Sequence, residues 1–164
     1  MRFKATETIN GPIEAVFDDF SDIRRIEQEL TDRGVGLERL DNDTGLVAGA
    51  AWHTVVRVKG RQRDADAQLV EVDRPRSLRL EGKSGGMLME TSFEFTEIGP
   101  QTTELEIVVN LRARSVSAKL LLSSFRLARS RMVRGMRKRV AKSARACEAR
   151  LRTSRQGARR GSAG

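Results

Sequence analysis

Apolar residues recur at helical spacing along a stretch near the C-terminus, from Ser115 to Leu151. Successive members are three or four positions apart, which predicts one face of a single long helix. These residues are Ala118, Leu121, Phe125, Ala128, Met132, Met136, Val140, Ala144, Cys147 and Leu151. No proline interrupts the stretch, and only Gly135 weakens it. A helix of this length, about 55 Å, exceeds the length of a strand, so we expect it either to overhang the sheet or to bend at Gly135. A helix with so long an apolar face needs an apolar partner.

The N-terminal segment predicts one strand followed by two short helices. Arg2–Ile9 alternates between apolar and polar positions, which is typical of a strand with one buried face. Pro12 then suits the first turn of a helix that carries apolar residues from Ile13 to Phe20. Ser21 and Asp22 are suited to cap a second short helix, in which apolar residues again recur at helical spacing.

From Gly34 to Leu111 the pattern alternates and is broken by short turn signals. It predicts six strands, at residues 35–40, 46–59, 61–73, 77–83, 87–97 and 102–111. Strands joined by such short turns are antiparallel neighbours. One face is mostly apolar and the other mostly charged. The predicted inner residues are Trp52, Thr54, Val56, Val58, Leu78, Leu80, Met87, Met89, Thr91, Phe93, Phe95, Leu105, Ile107, Val109 and Leu111.

The order of elements predicts an α+β fold of about seven antiparallel strands. The curved sheet turns its dry face towards the long terminal helix, since no other predicted element is long enough to cover it. The 164 residues suffice for one domain, which we assign to residues 1–152. Residues 153–164 are rich in Ser, Gly, Ala and Arg without periodicity, and we expect a disordered basic tail.

Composition narrows the protein class further. No apolar run is long enough to span a bilayer, and the first residues do not resemble a signal peptide. Cys147 is the single cysteine, which excludes an internal disulfide and agrees with a reducing cytoplasm, where we expect the protein. Because His53 is the single histidine, a metal site would need carboxylates almost alone. We predict no metal and no cofactor.

Charge is distributed unevenly along the chain. Residues 1–110 carry a net charge of −7 and residues 111–164 a net charge of +16. A cationic stripe lies on the polar face of the predicted terminal helix. We define this basic face as Arg126, Arg129, Arg134, Arg137, Lys138, Lys142 and Arg145. Such a face suits contact with an anionic membrane or with RNA. No aromatic residue is interleaved with its basic residues, so it offers no platform for base stacking. The alternative is a solvated face that the acidic body partly neutralises.

The sequence offers no clear acid–base constellation. His53 is predicted on the outer side of its strand, without an orienting partner evident in the sequence. Asp64 and Asp66 share a strand face, and Asp18–Asp19 are adjacent on a helix, but both pairs lie among other charges. Cys147 lies on the apolar helix face, which favours inert burial.

Several segments resemble the START-like, or SRPBCC, superfamily, including its polyketide cyclase/dehydrase-like members. The segment Glu7-Thr-Ile-Asn-Gly-Pro-Ile-Glu-Ala-Val-Phe17, followed by Asp22, is similar to the opening of many members. Gly49 with Trp52, and the turn Asp73-Arg-Pro75, also match. The resemblance extends in order of elements over about residues 2–150. It implies a helix-grip fold, in which a curved sheet encloses an apolar cavity against the terminal helix.

Members of that superfamily bind lipids, sterols, hormones or polyketides, and a minority are cyclases or dehydratases. We therefore interpret the chain first as a carrier or sensor of a small hydrophobic ligand. The predicted ligand-binding residues are Trp52, Thr54, Val56, Leu80, Met87, Met89, Phe93, Leu105, Ile107, Leu121, Phe125 and Met132. The alternative for these residues is a simple packed core. The second hypothesis is an interaction module that uses the basic face, and the third is a cyclase or dehydratase.

Overall fold

The computed structural model describes residues 1–41, 45–58 and 60–161, except for the side chains of residues 56, 58 and 159–161. The predicted α+β, helix-grip architecture is confirmed. Its elements are β1 (Arg2–Ile9), α1 (Ile13–Phe20), α2 (Ile23–Asp32), β2 (Leu37–Arg39), β3 (Ala51–Val58), β4 (Arg61–Asp73), β5 (Ser77–Ser84), β6 (Met87–Gly99), β7 (Thr102–Ala113), α3 (Val116–Leu127) and α4 (Arg129–Gly161).

Seven antiparallel strands form one sheet in the order β1-β7-β6-β5-β4-β3-β2. Consecutive strands from β2 to β7 are neighbours, and β1 completes the edge beside β7. Gly85 and Gly86 form the turn between β5 and β6 with φ angles of 52° and 79°, a backbone conformation that favours glycine. The predicted inner face is confirmed where register tests it, since Leu78, Phe93 and Ile107 lie side by side.

Two short helices follow β1, as the sequence predicts. Pro12 precedes the first turn of α1 in an extended conformation. The Asp22 carboxylate accepts a hydrogen bond from the Arg25 backbone N–H at 3.1 Å and caps α2. Ser21 instead donates its hydroxyl to the Phe17 carbonyl oxygen at 2.6 Å, so it ends α1 rather than capping α2.

The terminal helix differs from its prediction in two respects. It is divided at Ala128, whose N–H donates to the Phe125 carbonyl at 3.1 Å, whereas Gly135 lies inside an uninterrupted α4. It also continues through Gly161, so residues 153–161 are helical where we predicted no regular structure. Residues 162–164 lie outside the described part. The predicted apolar face is nevertheless buried or partly buried at all ten positions.

Two strand predictions were too long. β2 is confined to Leu37–Arg39, and β3 begins at Ala51 rather than at Leu46. The residues from Leu46 to Ala50 belong instead to the connection between β2 and β3. Gly49 has a φ of 102° and its N–H donates to the Leu69 carbonyl oxygen at 2.7 Å, which brings this connection against β4.

The core contains two apolar clusters. The larger lies between α1, α4 and the sheet, and its fully buried members include Ile9, Val16, Phe17, Leu105 and Cys147. The smaller lies beneath α3. Its buried members are Phe3, Met87, Leu111 and Ala118. The partly buried residues that pack against them include Leu121, Leu122, Phe125, Met132, Val133 and Met136. The helix α3 therefore contributes only to the smaller cluster, whereas α4 contributes to both.

Candidate functional site: an open cavity between α2, α4 and the sheet

A cavity of about 630 Å³ opens between α2, α4 and the inner face of the sheet. Its floor is formed by Phe93 of β6 and Ile107 of β7, which face each other in the strand register. Its walls come from two sides: Asp19, Phe20, Arg25, Ile26, Glu29, Leu30 and Arg33 on one, and Arg139, Val140, Lys142, Ser143, Ala146 and Arg150 on the other. This volume lies within the range of small-molecule sites, about 300–1,000 Å³.

An ion pair joins the two walls. The guanidinium of Arg150 donates to both carboxylate oxygens of Asp19, from Nε to Oδ1 at 2.6 Å and from Nη2 to Oδ2 at 2.8 Å. Arg25 approaches the same carboxylate at 3.6 Å. Burial by itself would raise the pKa of Asp19, but the bonds and charges of Arg150 and Arg25 outweigh burial and lower that pKa. The carboxylate therefore stays ionised and fastens α1 to α4.

Three other cations of the cavity have no such partner. Arg33, Arg139 and Lys142 are exposed side chains at its rim. Among the described residues none of them forms an ion pair, whereas Arg25 and Arg150 are bound to Asp19. The cavity therefore combines an apolar interior with a positively charged mouth. Such a site can hold an apolar body and neutralise an acidic group at its entrance.

The twelve predicted ligand-binding residues are placed in different environments. Phe93 and Ile107 line the cavity, while Leu105 is fully buried in the larger cluster, against which Leu80 packs. Met87, Leu121, Phe125 and Met132 belong to the smaller cluster instead. Met89 lies on the inner face but is 40% exposed. The side chain of Val56 lies outside the described part.

Trp52 and Thr54 were also predicted to contact ligand, but both form hydrogen bonds to other parts of the protein. The Trp52 indole N–H donates to Glu27 Oε1 at 2.6 Å, and the Arg39 guanidinium lies 4.9 Å from the ring centroid. Arg39 also donates to the same Glu27 oxygen at 3.1 Å. The Thr54 hydroxyl donates to the Gly36 carbonyl oxygen at 2.6 Å. The contacts around Trp52 hold α2 against the β2–β3 edge and so fix one wall of the cavity.

Sequence reasoning missed most of the wall residues. Ile26, Leu30 and Ala146 carry the apolar spacing of their helices, which signals burial but not which neighbour each residue meets. Arg139 fell outside the predicted basic face, although it lies at the cavity mouth. Only a structure that sets α2 opposite α4 brings these residues together.

The basic face is open to solvent at all seven positions. Arg129 donates to the Arg2 carbonyl oxygen at 3.3 Å, and within the described part of the chain none of the seven forms an ion pair. Direct contacts with the acidic body therefore do not neutralise it. Lys142 belongs both to this face and to the cavity mouth.

His53 lies on the outer face of the sheet, as predicted, but it has a partner. Its Nδ1 lies 2.7 Å from Asp66 Oδ1, its Nε2 lies 3.6 Å from Asp64 Oδ1, and the bond to Asp66 raises its pKa. A depression of about 380 Å³ on this face is lined partly by Asp66, Gln68, Glu81 and Lys83. Its charged lining suits water better than a hydrophobic ligand.

Cys147 is fully buried, as predicted. Burial, with a contribution from the Asp19 charge, raises its pKa to about 12. The thiol is therefore not a nucleophile near neutral pH. Among the described residues, no helix has both the length and the apolar character needed to cross a bilayer.

The seven-stranded sheet, the terminal helices and the cavity between them define a protein of the helix-grip class. The sequence profile of one family, described as polyketide cyclase / dehydrase and lipid transport, matches residues 1–152. The chain belongs to this family, whose fold commonly binds hydrophobic ligands. No curated protein sequence matches the chain.

Solved structures support the fold at low sequence identity. The Zhui aromatase/cyclase from Streptomyces sp. R1128 is 12% identical, with a TM-score of 0.64 over 94% of this chain and 97% of its own. Protein TTHA0849 from Thermus thermophilus is 16% identical, with a TM-score of 0.62 over 91% and 98%. A START superfamily protein from Mycobacterium smegmatis is 13% identical, with a TM-score of 0.55 over 86% and 97%. At these identities the likeness concerns the fold alone.

Proposed function

We propose that the protein binds a small hydrophobic molecule carrying an acidic group, as a carrier or sensor. The observation that carries this proposal is the cavity of about 630 Å³, with Phe93 and Ile107 at its floor and, at its mouth, exposed cations that pair with no described acid. The apolar interior would hold a lipid- or polyketide-like body. Arg139 and Lys142 would receive its carboxylate or phosphate. Membership of a family that includes lipid transport supports this assignment.

A cyclase or dehydratase activity has less support. Acid–base catalysis needs a titratable group within reach of the substrate and near its working pKa. Within the described part of the cavity, the carboxylates are Asp19 and Glu29, and both are bound to arginine. His53 lies on the opposite face of the sheet. Carriage or sensing is therefore favoured over catalysis, because neither needs a free titratable group in the cavity.

Native mass spectrometry of the protein, purified without organic solvent, tests the proposal directly. We expect a defined extra mass of a few hundred daltons, lost at higher collision energy and ionising as an anion after extraction. Fragmentation of the released molecule would identify its class. A purified protein that carries no added mass and binds neither fatty acids nor anilinonaphthalene sulfonate would contradict the proposal.

Filling the cavity should weaken ligand binding. Ala146 lines the cavity on α4, whereas Ala149 lies exposed on the same helix, so the two positions offer a matched pair. We expect Ala146→Trp to weaken binding of anilinonaphthalene sulfonate by more than about tenfold, or about 1.4 kcal/mol. Ala149→Trp should bind as the wild type does. Equal binding by both variants would show that the probe sits elsewhere.

Removing charge at the mouth should act only on acidic ligands. We expect Arg139→Gln combined with Lys142→Gln to weaken the anionic probe by about three- to tenfold, or about 0.7–1.4 kcal/mol. Binding of the neutral dye Nile red should change little, because no charge is lost in its complex. A matched control replaces Lys138 and Arg145, which are exposed cations outside the cavity lining. The same loss for both dyes would contradict a role in charge recognition.

A second candidate function is an interaction module that contacts an anionic membrane or RNA through the basic face. One observation favours it: the seven cations are exposed and form no ion pairs with described acids. Anionic surfaces attract such a face electrostatically, at about 1 kcal/mol per cation for a lipid surface. Vesicle and RNA binding at rising salt, with and without residues 152–164, tests this candidate.

A further inference from the structure

The helix α3 is apolar on two sides, and one of them is uncovered. Its inner side packs Ala118, Leu121 and Phe125 into the smaller cluster. Its outer side presents Val116, Leu120 and Leu127, which are 75%, 69% and 93% exposed. Single exposed apolar residues are ordinary on protein surfaces, but an aligned group on one short helix is a recognised sign of a binding surface.

The three residues lie on one side of the helix. Leu120 is four positions and Leu127 eleven positions after Val116, and at 100° per residue these offsets place all three within about 40° of arc. We call them the α3 ridge. The ridge runs along most of the helix, from its first residue to its last. All three side chains are aliphatic.

Positive charges lie around the ridge. Lys119 and Arg126 are on one flank of the same helix. Arg112 and Arg114 closely precede the helix, and Arg131 closely follows it. All five are exposed, and none forms an ion pair with a described acid. The sequence contains no Asp or Glu between Leu111 and Cys147. The surface is therefore both apolar and uniformly cationic.

We propose that the α3 ridge docks the protein on an anionic lipid bilayer. The aliphatic side chains enter the boundary between headgroups and acyl chains, while Lys119 and Arg126 contact lipid phosphates. RNA would satisfy the cations but offers no apolar environment for Val116 or Leu127. A second copy of the chain would cover the ridge but would bring like charges together. A bilayer satisfies both components.

This inference deepens the second candidate function, because it assigns the bilayer as the partner and α3 as the contact surface. It needs no ligand in the cavity. The ridge also differs in its chemistry from the basic face, which shares Arg126 with the surroundings of the ridge, since charge alone gives binding that disappears at high salt. Burial of the ridge adds a salt-resistant contribution.

The test compares vesicles of phosphatidylcholine and phosphatidylglycerol with vesicles of phosphatidylcholine alone. We expect V116S/L120S/L127S to lower affinity for the mixed vesicles by more than about tenfold, with circular dichroism and probe uptake unchanged. Ile98→Ser is the matched control, since Ile98 is also an aliphatic residue, 54% exposed, near the end of β6. K119Q/R126Q should weaken binding to mixed vesicles at low salt.

A site-specific probe reports insertion itself. Cys147 is fully buried with a pKa raised to about 12, so a thiol-reactive fluorophore should label L127C selectively. We expect a blue shift of the fluorophore when mixed vesicles are added. The same label on I98C should show none.

Three results would overturn the proposal. The first is full vesicle binding by the ridge variant. The second is binding lost only when the α4 cations or residues 152–164 are removed, which would keep the second candidate function and reject α3. The third is absence of vesicle binding together with RNA binding, or with self-association that the ridge variant abolishes.

Discussion

Replacing Arg150 by Ala should lower the free energy of unfolding by about 3 kcal/mol. Asp19 is 9% exposed, and the variant would remove its two hydrogen bonds from Arg150. Loss of one partner leaves a buried carboxylate partly unpaired, which typically costs about 3–5 kcal/mol when burial is complete. Arg25 stays within 3.6 Å and limits the loss. Urea denaturation at neutral pH measures it.

The pH dependence separates the ion pair from simple loss of packing. Because pairing lowers the pKa of Asp19 in the folded protein, its contribution is present above the unfolded value of about 3.9. That contribution is lost as the pH falls through the lower folded value. The stability difference between wild type and Arg150→Ala should therefore shrink at acid pH.

Arg145→Ala is the matched control for this prediction. Arg145 is exposed on α4 and forms no ion pair with a described acid, so its loss should change stability by less than about 0.5 kcal/mol. Equal losses for the two arginine variants would mean that the bond to Asp19 does not stabilise the fold. The prediction links stability and function, since Arg150 and Asp19 both line the cavity.

Local patterns predicted most of the elements because each depends on neighbours in sequence. β1 and β4 have their predicted bounds, and the alternation of β6 and β7 correctly placed Phe93 and Ile107 on the inner face. Side chains alternate strictly along a strand, so a correct strand also gives a correct face. That is how two cavity residues could be predicted without knowing what lies opposite them.

The division of the terminal helix could not be predicted. The apolar spacing continues through Ala128 without a shift, and neither Pro nor Gly marks the position. The break accompanies a change in tertiary packing, because α3 contributes only to the smaller cluster, whereas α4 extends from the smaller cluster into the larger one. Gly135 does not interrupt α4, because a glycine only lowers helix propensity. Packing decides whether the helix bends there.

The pairing of His53 with Asp66 can be predicted from the sequence. The turn signal that the sequence carries between β3 and β4 predicts that Val58 pairs with Arg61. Counting back along antiparallel strands then pairs His53 with Asp66, which is the observed register. In contrast, the placement of Arg33 and Arg139 around one cavity depends on how α2 and α4 are arranged. Local spacing in the sequence does not encode that arrangement.

Replacing Phe17 by Ala should have the largest effect on stability, a loss of about 3–5 kcal/mol. Phe17 is 0% exposed, and its ring meets that of Phe95 edge-on with centroids 5.3 Å apart. The variant leaves a cavity between α1 and the sheet that the surrounding core cannot fill. The urea midpoint should fall with an unchanged slope. Phe17→Leu, which keeps most of the volume, should lose only about 1 kcal/mol.

This prediction also concerns the segment on which the family resemblance mainly depends. Gly11 allows the β1–α1 turn to approach α4, since an added Cβ would lie 2.6 Å from a Leu151 methyl group, and its carbonyl accepts a hydrogen bond from the buried Thr103 hydroxyl. Ile9 and Val16 are fully buried beside it. None of these residues lines the cavity. If Phe17→Leu keeps probe binding while Phe17→Ala loses stability, the segment specifies the fold and leaves ligand choice to the cavity walls. Loss of probe binding in a stably folded Phe17→Leu variant would instead assign the segment a part in the site.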